Sequence, residues 1–350
     1  MKFLKILLAP FVLIYGFIIS IRNLFFDKSV FKSKKVNAKV ISIGNINVGG
    51  SGKTPLVIYV TNMLKSSGYK VGVLSRGYGR KSTGYKLVSK GNEILTSVEE
   101  CGDEIYHTAL ECKVAAAVSE NRVKGAKRLI DETGIDTIVL DDAFQHRWIA
   151  RDVDLVVIDQ GFVNNKSIFT NNLLPLGDLR ERFDSLKRAD AIIINRKFLE
   201  KEEIKSELKN YFAGKKIFTS YYKAINFVDV IRKIEYNIED FKGQESLVVS
   251  GIANPASFLS VLNQAHVDTQ NKLIFRDHKN YTLKEVQQIR KQFYTTNSHS
   301  VVTTEKDAVK FSRFKRELDD IEIFYLKINL CMDDEESFKQ YLINKLNNAS

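Results

Sequence analysis

The stretch NVGGSGKTPLVIYVTNML, from Asn47 to Leu64, decides the fold of this chain. The apolar segment AKVISIGNI, which is typical of a buried strand, comes directly before it. A glycine-rich turn that ends in Lys-Thr and leads into a helical pattern matches the phosphate-binding loop G-x-x-x-x-G-K-[ST]. Pro55 suits the first turn of that helix, where its missing N–H costs little. The stretch therefore predicts a strand, a nucleotide-binding loop and a helix.

The predicted loop assigns separate roles to its residues. Its eight positions are Asn47, Val48, Gly49, Gly50, Ser51, Gly52, Lys53 and Thr54. The glycines let the backbone approach the phosphates, and the helix N-terminus favours an anion. Lys53 is expected to reach the β- and γ-phosphate oxygens, and the Thr54 hydroxyl to bind Mg²⁺. Asn47 replaces the usual first glycine, and asparagine tolerates left-handed backbone angles better than most residues.

An acidic strand end supports the same interpretation. The segment DTIVLDD, residues 136–142, is an apolar run that ends in Asp141 and Asp142. Carboxylates in this position hold Mg²⁺ in P-loop nucleotide sites. Acids at a strand end are common by themselves, but together with the upstream loop they predict a site for ATP and Mg²⁺. The expected metal-binding residues are Thr54, Asp141 and Asp142.

The rest of the chain alternates strands and helices. The strand candidates are KVISIGNI, KVGVLSRG, DTIVLDD, VDLVVID and ADAIIINR. Continuous Val/Ile/Leu runs indicate strands buried on both faces, so we expect a doubly wound, mostly parallel α/β sheet. The pattern changes at residues 215–236, which indicate two extended segments, and a second α/β cycle follows.

Four regions result from this pattern. We predict a membrane-anchor helix over residues 1–27 and a P-loop core domain over residues 28–220. A β-ribbon-like linker is expected over residues 221–236. A smaller α/β domain with a C-terminal helix is expected over residues 237–350. The acidic segment DDEES suits the first turn of that last helix.

The N-terminal segment is strongly apolar. Ile6 to Ile21 carries no charge, and Lys2, Lys5 and Arg22 flank it. Three interpretations compete: a cleaved signal peptide, a buried core helix and an uncleaved membrane anchor. No cleavage-site pattern follows, and a nucleotide motif belongs in the cytosol, which favours the anchor. The length leaves open whether the helix spans the bilayer or lies in its interface.

Charge and composition limit the partners. The net charge of +11 calls for an anionic partner. Nucleic acid is disfavoured, because the sequence has no zinc finger, RNP-like aromatic motif or long basic tract. The clustered lysines follow the apolar segment and are Lys28, Lys32, Lys34, Lys35 and Lys39. They suit an anionic membrane surface, and no obligate protein partner is predicted. The three cysteines have no metal-type spacing and indicate reduced thiols.

Several classes of P-loop protein remain to be separated. A GTPase should carry an N-K-x-D motif, but the nearest segment, NRKF at Asn195, lacks the aspartate. Membrane-partitioning ATPases carry a signature lysine where this chain has Val48. A kinase needs an acceptor hydroxyl and a base near it.

A set of further motifs resembles one kinase family. In order they are ISIGNINVGGSGKTP, VGVLSRGYGRK, CGDE, LDDAFQHR, LLPLGDLRE, SGIANPASF, FRDHKNY and TTEKDAVK. This set resembles the tetraacyldisaccharide 4'-kinase family, the lipid A 4'-kinases of Gram-negative bacteria. The resemblance implies transfer of the ATP γ-phosphate to the 4' hydroxyl of a tetraacylated glucosamine disaccharide 1-phosphate, giving lipid IVA. It also implies a location on the cytoplasmic face of the inner membrane.

The resemblance also implies roles for single residues. Asp103 matches the catalytic base and His278 its partner, so catalysis would need the two domains to close on each other. Lys53 completes the predicted catalytic set. The residues with a predicted contact to substrate are Arg76, Tyr78, Arg80, Arg122, Gln145, His146, Arg180 and Glu181. No role is predicted for Glu305, Lys306 and Asp307.

A function of another class competes with the kinase. A membrane-tethered P-loop ATPase could act as a switch for a protein partner. It would hydrolyse ATP on partner binding and form no phosphorylated lipid. A pure binding module would require a silent nucleotide site, which the intact Lys53, Thr54 and Asp141 argue against.

Overall fold

A single twisted sheet forms the centre of the protein. The computed structural model describes residues 2–164, 172–252, 255–277 and 279–348. The helices are α1 (Lys2–Asp27), α2 (Lys53–Ser66), α3 (Val98–Cys101), α4 (Asp103–Cys112), α5 (Arg122–Thr133), α6 (Gln160–Asn164), α7 (Ser206–Phe212), α8 (Pro255–Gln264), α9 (Leu283–Thr295), α10 (Glu305–Phe311) and α11 (Glu335–Asn348). The strands are β1 (Lys39–Gly44), β2 (Val71–Ser75), β3 (Lys86–Lys90), β4 (Ala115–Val118), β5 (Thr137–Asp141), β6 (Val153–Asp159), β7 (Ala191–Asn195), β8 (Lys216–Asp229), β9 (Glu235–Tyr236), β10 (Ser246–Ser250), β11 (Lys272–Ile274), β12 (Ser300–Thr304) and β13 (Ile323–Met332).

The strand order places the nucleotide loop at the middle of the first half of the sheet. The order is β11-β10-β12-β13-β8-β7-β6-β1-β5-β2-β4-β3, with β9 paired to β8. The pairs β3–β4, β8–β13 and β8–β9 are antiparallel, whereas the other pairs are parallel. The predicted mostly parallel α/β architecture is thereby confirmed. β1 lies between β5 and β6, so the loop after β1 meets the acidic end of β5.

One long strand joins the two halves. β8 pairs in parallel with β7 over its first residues and then in antiparallel with β13 from Ser220 to Asp229. The two extended segments expected at residues 215–236 correspond to β8 and β9. The four-region division of the chain stays a prediction, because the sheet runs without interruption from one half to the other.

The C-terminal helix packs against the first half of the chain. Phe338, Leu342 and Leu346 of α11 are buried in one cluster with Val60 and Leu64 of α2. The sequence grouped this helix with the second domain. Because only its apolar face was visible in the sequence, the surface that it covers could not be predicted.

Helix α1 is mostly exposed, although Tyr15, Arg22 and Phe26 contact the rest of the protein. Its segment Pro10–Asp27 has a mean hydropathy of 1.4 and is long and apolar enough to cross a membrane, and only 11% of it is buried. The exposed apolar residues include Phe11, Leu13, Ile14, Phe17 and Ile18. This low burial contradicts a core helix and fits the candidate anchor.

Candidate active site

The phosphate-binding loop follows β1 and has the backbone that such a loop needs. Gly49 (φ +101°) and Gly52 (φ +98°) adopt left-handed angles, and Gly52 caps the N-terminus of α2. Asn47 forms an antiparallel bridge with Leu179. The left-handed positions are therefore glycines, and Asn47 takes an extended pairing instead of the left-handed role considered from its sequence position.

Two residues outside the loop fix its shape. Asn195 Nδ2 donates to the Ser51 carbonyl at 3.2 Å and to the Tyr222 hydroxyl at 2.9 Å. A Cβ on Gly52 would lie 2.1 Å from Asn195 Nδ2, so only glycine fits there. In the sequence analysis, Asn195 appears only as part of a possible guanine-binding motif. Its place at the carboxyl end of β7, on the same sheet edge as the loop, is the signal that could have revealed it.

The two acids at the end of β5, Asp141 and Asp142, have different surroundings. Asp141 is buried, accepts a hydrogen bond from Ser75 Oγ at 3.0 Å on one oxygen, and has no hydrogen-bond partner on Oδ1 among the described residues. Burial, with the nearby carboxylates of Glu104 and Asp142, raises the pKa of Asp141 above its ordinary value. A buried carboxylate with an unpartnered oxygen suits a cation, so Asp141 fits the expected Mg²⁺.

Asp142 is instead held by cations. Arg180 Nη1 lies 2.8 Å from both Asp142 oxygens, and Lys53 Nζ lies 3.7 Å from Oδ1. Burial opposes ionisation of Asp142, but Lys53 and Arg180 outweigh it and lower the pKa of this carboxyl. Asp142 therefore orients Lys53 and Arg180 beside the loop.

Asp103 begins α4 and faces the same cleft as the loop. The cleft has a volume of about 1090 Å³, and Lys53, Thr54, Asp142, Arg180 and Asp103 all line it. The Asp103 side chain is 8% exposed, and its Oδ1 accepts the Glu104 N–H at 3.0 Å. The cleft thus brings the predicted base and the phosphate loop to one space.

The backbone just before Asp103 is packed against the loop of residues 76–80. Gly102 has φ +94°, and a Cβ there would lie 2.8 Å from the Tyr78 carbonyl oxygen. Tyr78 is 68% exposed, and Arg76 is exposed as well. Arg80 behaves differently, because its guanidinium pairs with Glu120 and donates to the Gly84 carbonyl at 2.6 Å. Through these bonds, Arg80 stabilises its own loop.

His278 lies outside the described residues. The Asp103–His278 pair therefore stays a prediction. The carbonyl of Lys279, the next residue in the chain, accepts a hydrogen bond from Lys310 Nζ at 3.2 Å. Lys310 also lies beside Asp103, which makes this lysine part of the surroundings of the predicted base.

Arg122, Gln145 and His146 are not among the residues that line the cleft. Arg122 is 2% exposed and donates to the carbonyls of Ser119 at 2.5 Å and Asp141 at 3.1 Å. Burial lowers its pKa to about 10, so it stays charged at neutral pH. Gln145 Nε2 donates to the Asn45 carbonyl at 2.8 Å. Burial and adjacent arginines lower the pKa of His146 to about 4, which keeps it neutral.

Glu181 connects helix α1 to the site. Its carboxylate is 1% exposed and accepts from Arg22 (2.9 Å), Asn23 (3.1 Å) and Arg188 (2.8 Å). The neighbouring Arg180 carbonyl accepts the Tyr15 hydroxyl at 3.0 Å. The predicted contact of Glu181 with substrate stays a prediction, and the described bonds make this residue an anchor for α1.

We expect Glu181→Gln to lower the free energy of unfolding by about 2 kcal/mol, because it leaves two half-buried arginines without their counter-charge. The measurement is denaturant unfolding of the purified protein in detergent. Asp184→Asn is the matched control, since Asp184 is exposed and its pair with Lys187 should be worth under about 1 kcal/mol. Equal unfolding free energies for both variants would contradict the anchoring role.

Fold and site together define the class of protein. A loop of P-loop form after a central parallel strand, followed by acids on the adjacent strand, is the arrangement that holds a nucleoside triphosphate. The chain is thus a P-loop nucleotide-binding protein.

The family follows from the similarity to known proteins. The chain matches the family "Tetraacyldisaccharide-1-P 4'-kinase" over residues 4–347 and belongs to it. A "Tetraacyldisaccharide 4'-kinase" of Halothermothrix orenii is 36% identical over 351 residues, covering 95% of this chain and 90% of that protein. One of Chlorobium phaeovibrioides is 34% identical over 340 residues, covering 95% of both.

A solved structure has the same fold. The "apo" form of LpxK from Aquifex aeolicus in complex with ATP superposes with a TM-score of 0.80 at 30% identity, covering 98% of this chain and 99% of that one. The predicted family, the kinase activity and the place in lipid A biosynthesis are confirmed by these similarities. The bound ATP of that structure supports ATP as the nucleotide substrate.

Proposed function

We propose that the chain transfers the γ-phosphate of ATP to the 4' hydroxyl of a tetraacylated glucosamine disaccharide 1-phosphate, with the product lipid IVA. The observation that carries this proposal is the cleft shared by Lys53 and Asp103. A phosphate-binding loop alone serves many P-loop proteins, whereas a carboxylate that lines the same cleft suits a hydroxyl acceptor. Family membership supplies the identity of the acceptor.

In the transfer step, Asp103 acts on the acceptor hydroxyl and Lys53 acts on the phosphate. Asp103 accepts the proton of the 4' hydroxyl while that oxygen attacks the γ-phosphorus. The bond from the γ-phosphorus to the bridging oxygen breaks, and ADP leaves. Lys53 and the loop N–H groups stabilise the charge on the phosphoryl oxygens, and phosphoryl transfer depends mostly on such positioning and neutralisation. Arg180 helps by fixing Asp142 beside Lys53.

The proposal includes Mg²⁺, because the chain has residues that fit this ion. The Thr54 hydroxyl and Asp141 would hold the ion, with Asp142 next to them. When bound, Mg²⁺ neutralises charge on the β- and γ-phosphate oxygens. The chain's own contribution is the orientation of Asp141, which Ser75 fixes by its hydrogen bond.

Asp141→Asn is expected to weaken Mn²⁺ binding in the presence of ATP by about 10-fold, because the buried anionic ligand is lost. Mn²⁺ serves as the spectroscopic substitute for Mg²⁺, and electron paramagnetic resonance measures its free fraction. Asp136→Asn, just before the start of the same strand, is the control with unchanged Mn²⁺ binding. Equal affinities in both variants would reject Asp141 as a ligand.

The membrane location follows from the substrate. Each acyl methylene moved into water costs about 0.8 kcal/mol, so a four-chain lipid stays in the bilayer and the enzyme must reach it there. Helix α1 and the lysines that follow it would hold the protein on the cytoplasmic face of the inner membrane. The contacts of α1 with Glu181 support this proposal, because they would bring the cleft near the lipid headgroups.

The test combines γ-labelled ATP with the disaccharide 1-phosphate in mixed micelles. We expect a labelled glycolipid that appears at the rate of ATP consumption. Partner-stimulated ATP hydrolysis without labelled lipid would instead support the switch ATPase. The wild-type protein without lipid serves as the control for background hydrolysis.

A further inference from the structure

Residues 99–107, in α3 and the start of α4, are joined to residues 305–313, in and just after α10, by a row of three ion pairs and one histidine–carboxylate contact. We call this row the α4–α10 charge ladder. Its four rungs are Glu99–Arg313, Asp103–Lys310 (3.2 Å), Glu104–Lys306 (3.6 Å) and His107–Glu305 (3.7 Å). The residues of α4 come from the first half of the chain, and those of α10 come from the second. The ladder therefore fixes Asp103 against the other half of the protein.

One rung differs from the others in burial. The Lys310 side chain is 4% exposed and Asp103 is 8% exposed, whereas Arg313 and Glu99 are 35% and 32% exposed. Ion pairs open to water are worth little, but a buried pair is strongly coupled. The Asp103–Lys310 rung is therefore the strongest electrostatic link in the ladder.

The Lys310 ammonium is surrounded by three oxygens. It contacts Asp103 Oδ2 at 3.2 Å, the Lys279 carbonyl at 3.2 Å and Asp307 Oδ1 at 3.5 Å. The Lys279 carbonyl accepts a hydrogen bond from the ammonium, and the carboxylates of Asp103 and Asp307 form ion pairs with it. Such a lysine is fixed in position and is not free to follow a phosphate.

Asp307 secures the far side of the lysine. Its side chain is fully buried, and its Oδ2 accepts from the Gly251 N–H at 2.7 Å and from Thr304 Oγ1 at 2.9 Å. These bonds tie Asp307 to the ends of β10 and β12. The carboxylate of Asp307 thus holds Lys310 from the rigid sheet of the second half, which gives a role to a residue that the sequence left without one.

Lys310 lies next to Asp103, on the side of this residue that does not face the cleft. Asp103 lines the cleft and Lys310 is not among the residues that line it. The Glu104 N–H holds one Asp103 oxygen at 3.0 Å, and Lys310 holds the other. One Asp103 oxygen is thus held by a backbone N–H and the other by a buried lysine, and these two contacts restrict the orientation of the carboxylate.

We propose that Lys310, held by Asp307, is a positioning residue that orients the Asp103 carboxylate for proton abstraction from the acceptor hydroxyl. The proposal rests on the proposed function, in which Asp103 is the base. Because Lys310 acts through Asp103, its loss should lower kcat and leave the KM for ATP almost unchanged.

The experiment compares kcat and KM for lipid phosphorylation in Lys310→Met, Lys310→Arg and the matched control Arg313→Met. We expect Lys310→Met to lower kcat about 100-fold with the KM for ATP within about threefold, since misplacing a reacting group costs about that much. Lys310→Arg keeps the charge and should recover kcat to within about tenfold of wild type. Arg313→Met removes an exposed rung and should stay within about threefold.

A double variant separates positioning from folding. Asp103→Asn is expected to be slow, and adding Lys310→Met to it should change kcat by less than about threefold, because the group through which the lysine acts is already gone. Lys310→Met also leaves the buried Asp307 without its cation, so Lys310→Arg, which keeps that charge, replaces it in the double variant if Lys310→Met does not fold. A further loss of tenfold or more in the double variant would overturn the proposal.

The experiment also distinguishes failure of the positioning role from failure of the proposed function. Equal kcat in Lys310→Met and Arg313→Met, with Asp103→Asn slow, would overturn the positioning role and leave the proposed function intact. Normal turnover in Asp103→Asn would remove the base itself and with it the proposed mechanism. Absence of phosphorylated lipid with wild-type protein would reject the proposed function.

Discussion

Lys53→Ala is expected to lower kcat/KM for lipid phosphorylation about 1,000-fold, because removal of one preorganised charge from a phosphoryl-transfer site costs about that factor. Lys53 is well placed for this effect. It opens α2 directly after the left-handed Gly52, and its ammonium lies 3.7 Å from Asp142. The side chain thus points along the cleft and not into solvent. Initial rates with γ-labelled ATP at several lipid concentrations measure the loss.

Lys65→Ala is the matched control for Lys53. It lies in the last turn of the same helix, where its ammonium donates to the Cys112 carbonyl at 2.9 Å. Its removal should change kcat/KM by less than about threefold, since surface substitutions have small effects. A Lys53 variant as active as the Lys65 variant would show that the loop does not bind the transferred phosphate.

Asp103→Asn should lower kcat about 1,000-fold while ATP binding stays within about threefold, since a general base contributes about 10² to 10⁴ in rate. Asparagine keeps the size of the side chain but cannot accept the proton. The separation of kcat from nucleotide affinity follows from the element that carries Asp103, because Asp103 belongs to α4 and not to the phosphate-binding loop before α2. Steady-state rates at saturating lipid and ATP measure kcat, and a fluorescent ATP analogue measures binding.

Asp131→Asn provides the control for the Asp103 substitution. Asp131 is exposed on α5, and its replacement should leave both kcat and ATP binding unchanged. A parallel loss of ATP affinity and kcat in Asp103→Asn would assign this residue to nucleotide binding instead of proton transfer.

The central strands could be predicted because their environment leaves a strong pattern. β1, β5, β6 and β7 are buried over almost their whole length and read as continuous apolar runs, which is what strands covered on both faces require. The loop and α2 followed from the spacing of glycines before Lys53. These local signals depend on neighbouring residues, so the sequence contains them in full.

Edge elements and long-range packing could not be predicted in the same way. β3 and β4 form the antiparallel edge of the sheet, and the AAAV sequence of β4 has little strand propensity. The surface covered by α11 depends on residues far away in the chain. The contact of Asn195 with Ser51 likewise depends on the strand order, which periodicity does not specify.

The residues of the candidate site also differ in how far the sequence predicts them. Lys53, Thr54, Asp141 and Asp103 were found from motif and resemblance, and all but the buried Asp141 line the cleft. Arg80 and Arg122 matched the same motifs, but their guanidinium groups bind protein carbonyls and carboxylates. A motif shows which residue types occur, whereas the partner of each side chain is set by tertiary contacts.

The most direct measurement is the position of the transferred phosphate. The product formed from ATP and the disaccharide 1-phosphate is purified and studied by ¹H–³¹P correlation NMR. We expect one new phosphomonoester signal that couples to the proton on C4', with the 1-phosphate signal unchanged. A new phosphorus signal coupled to any other sugar proton, a diphosphate at C1, or inorganic phosphate as the only product would contradict the account.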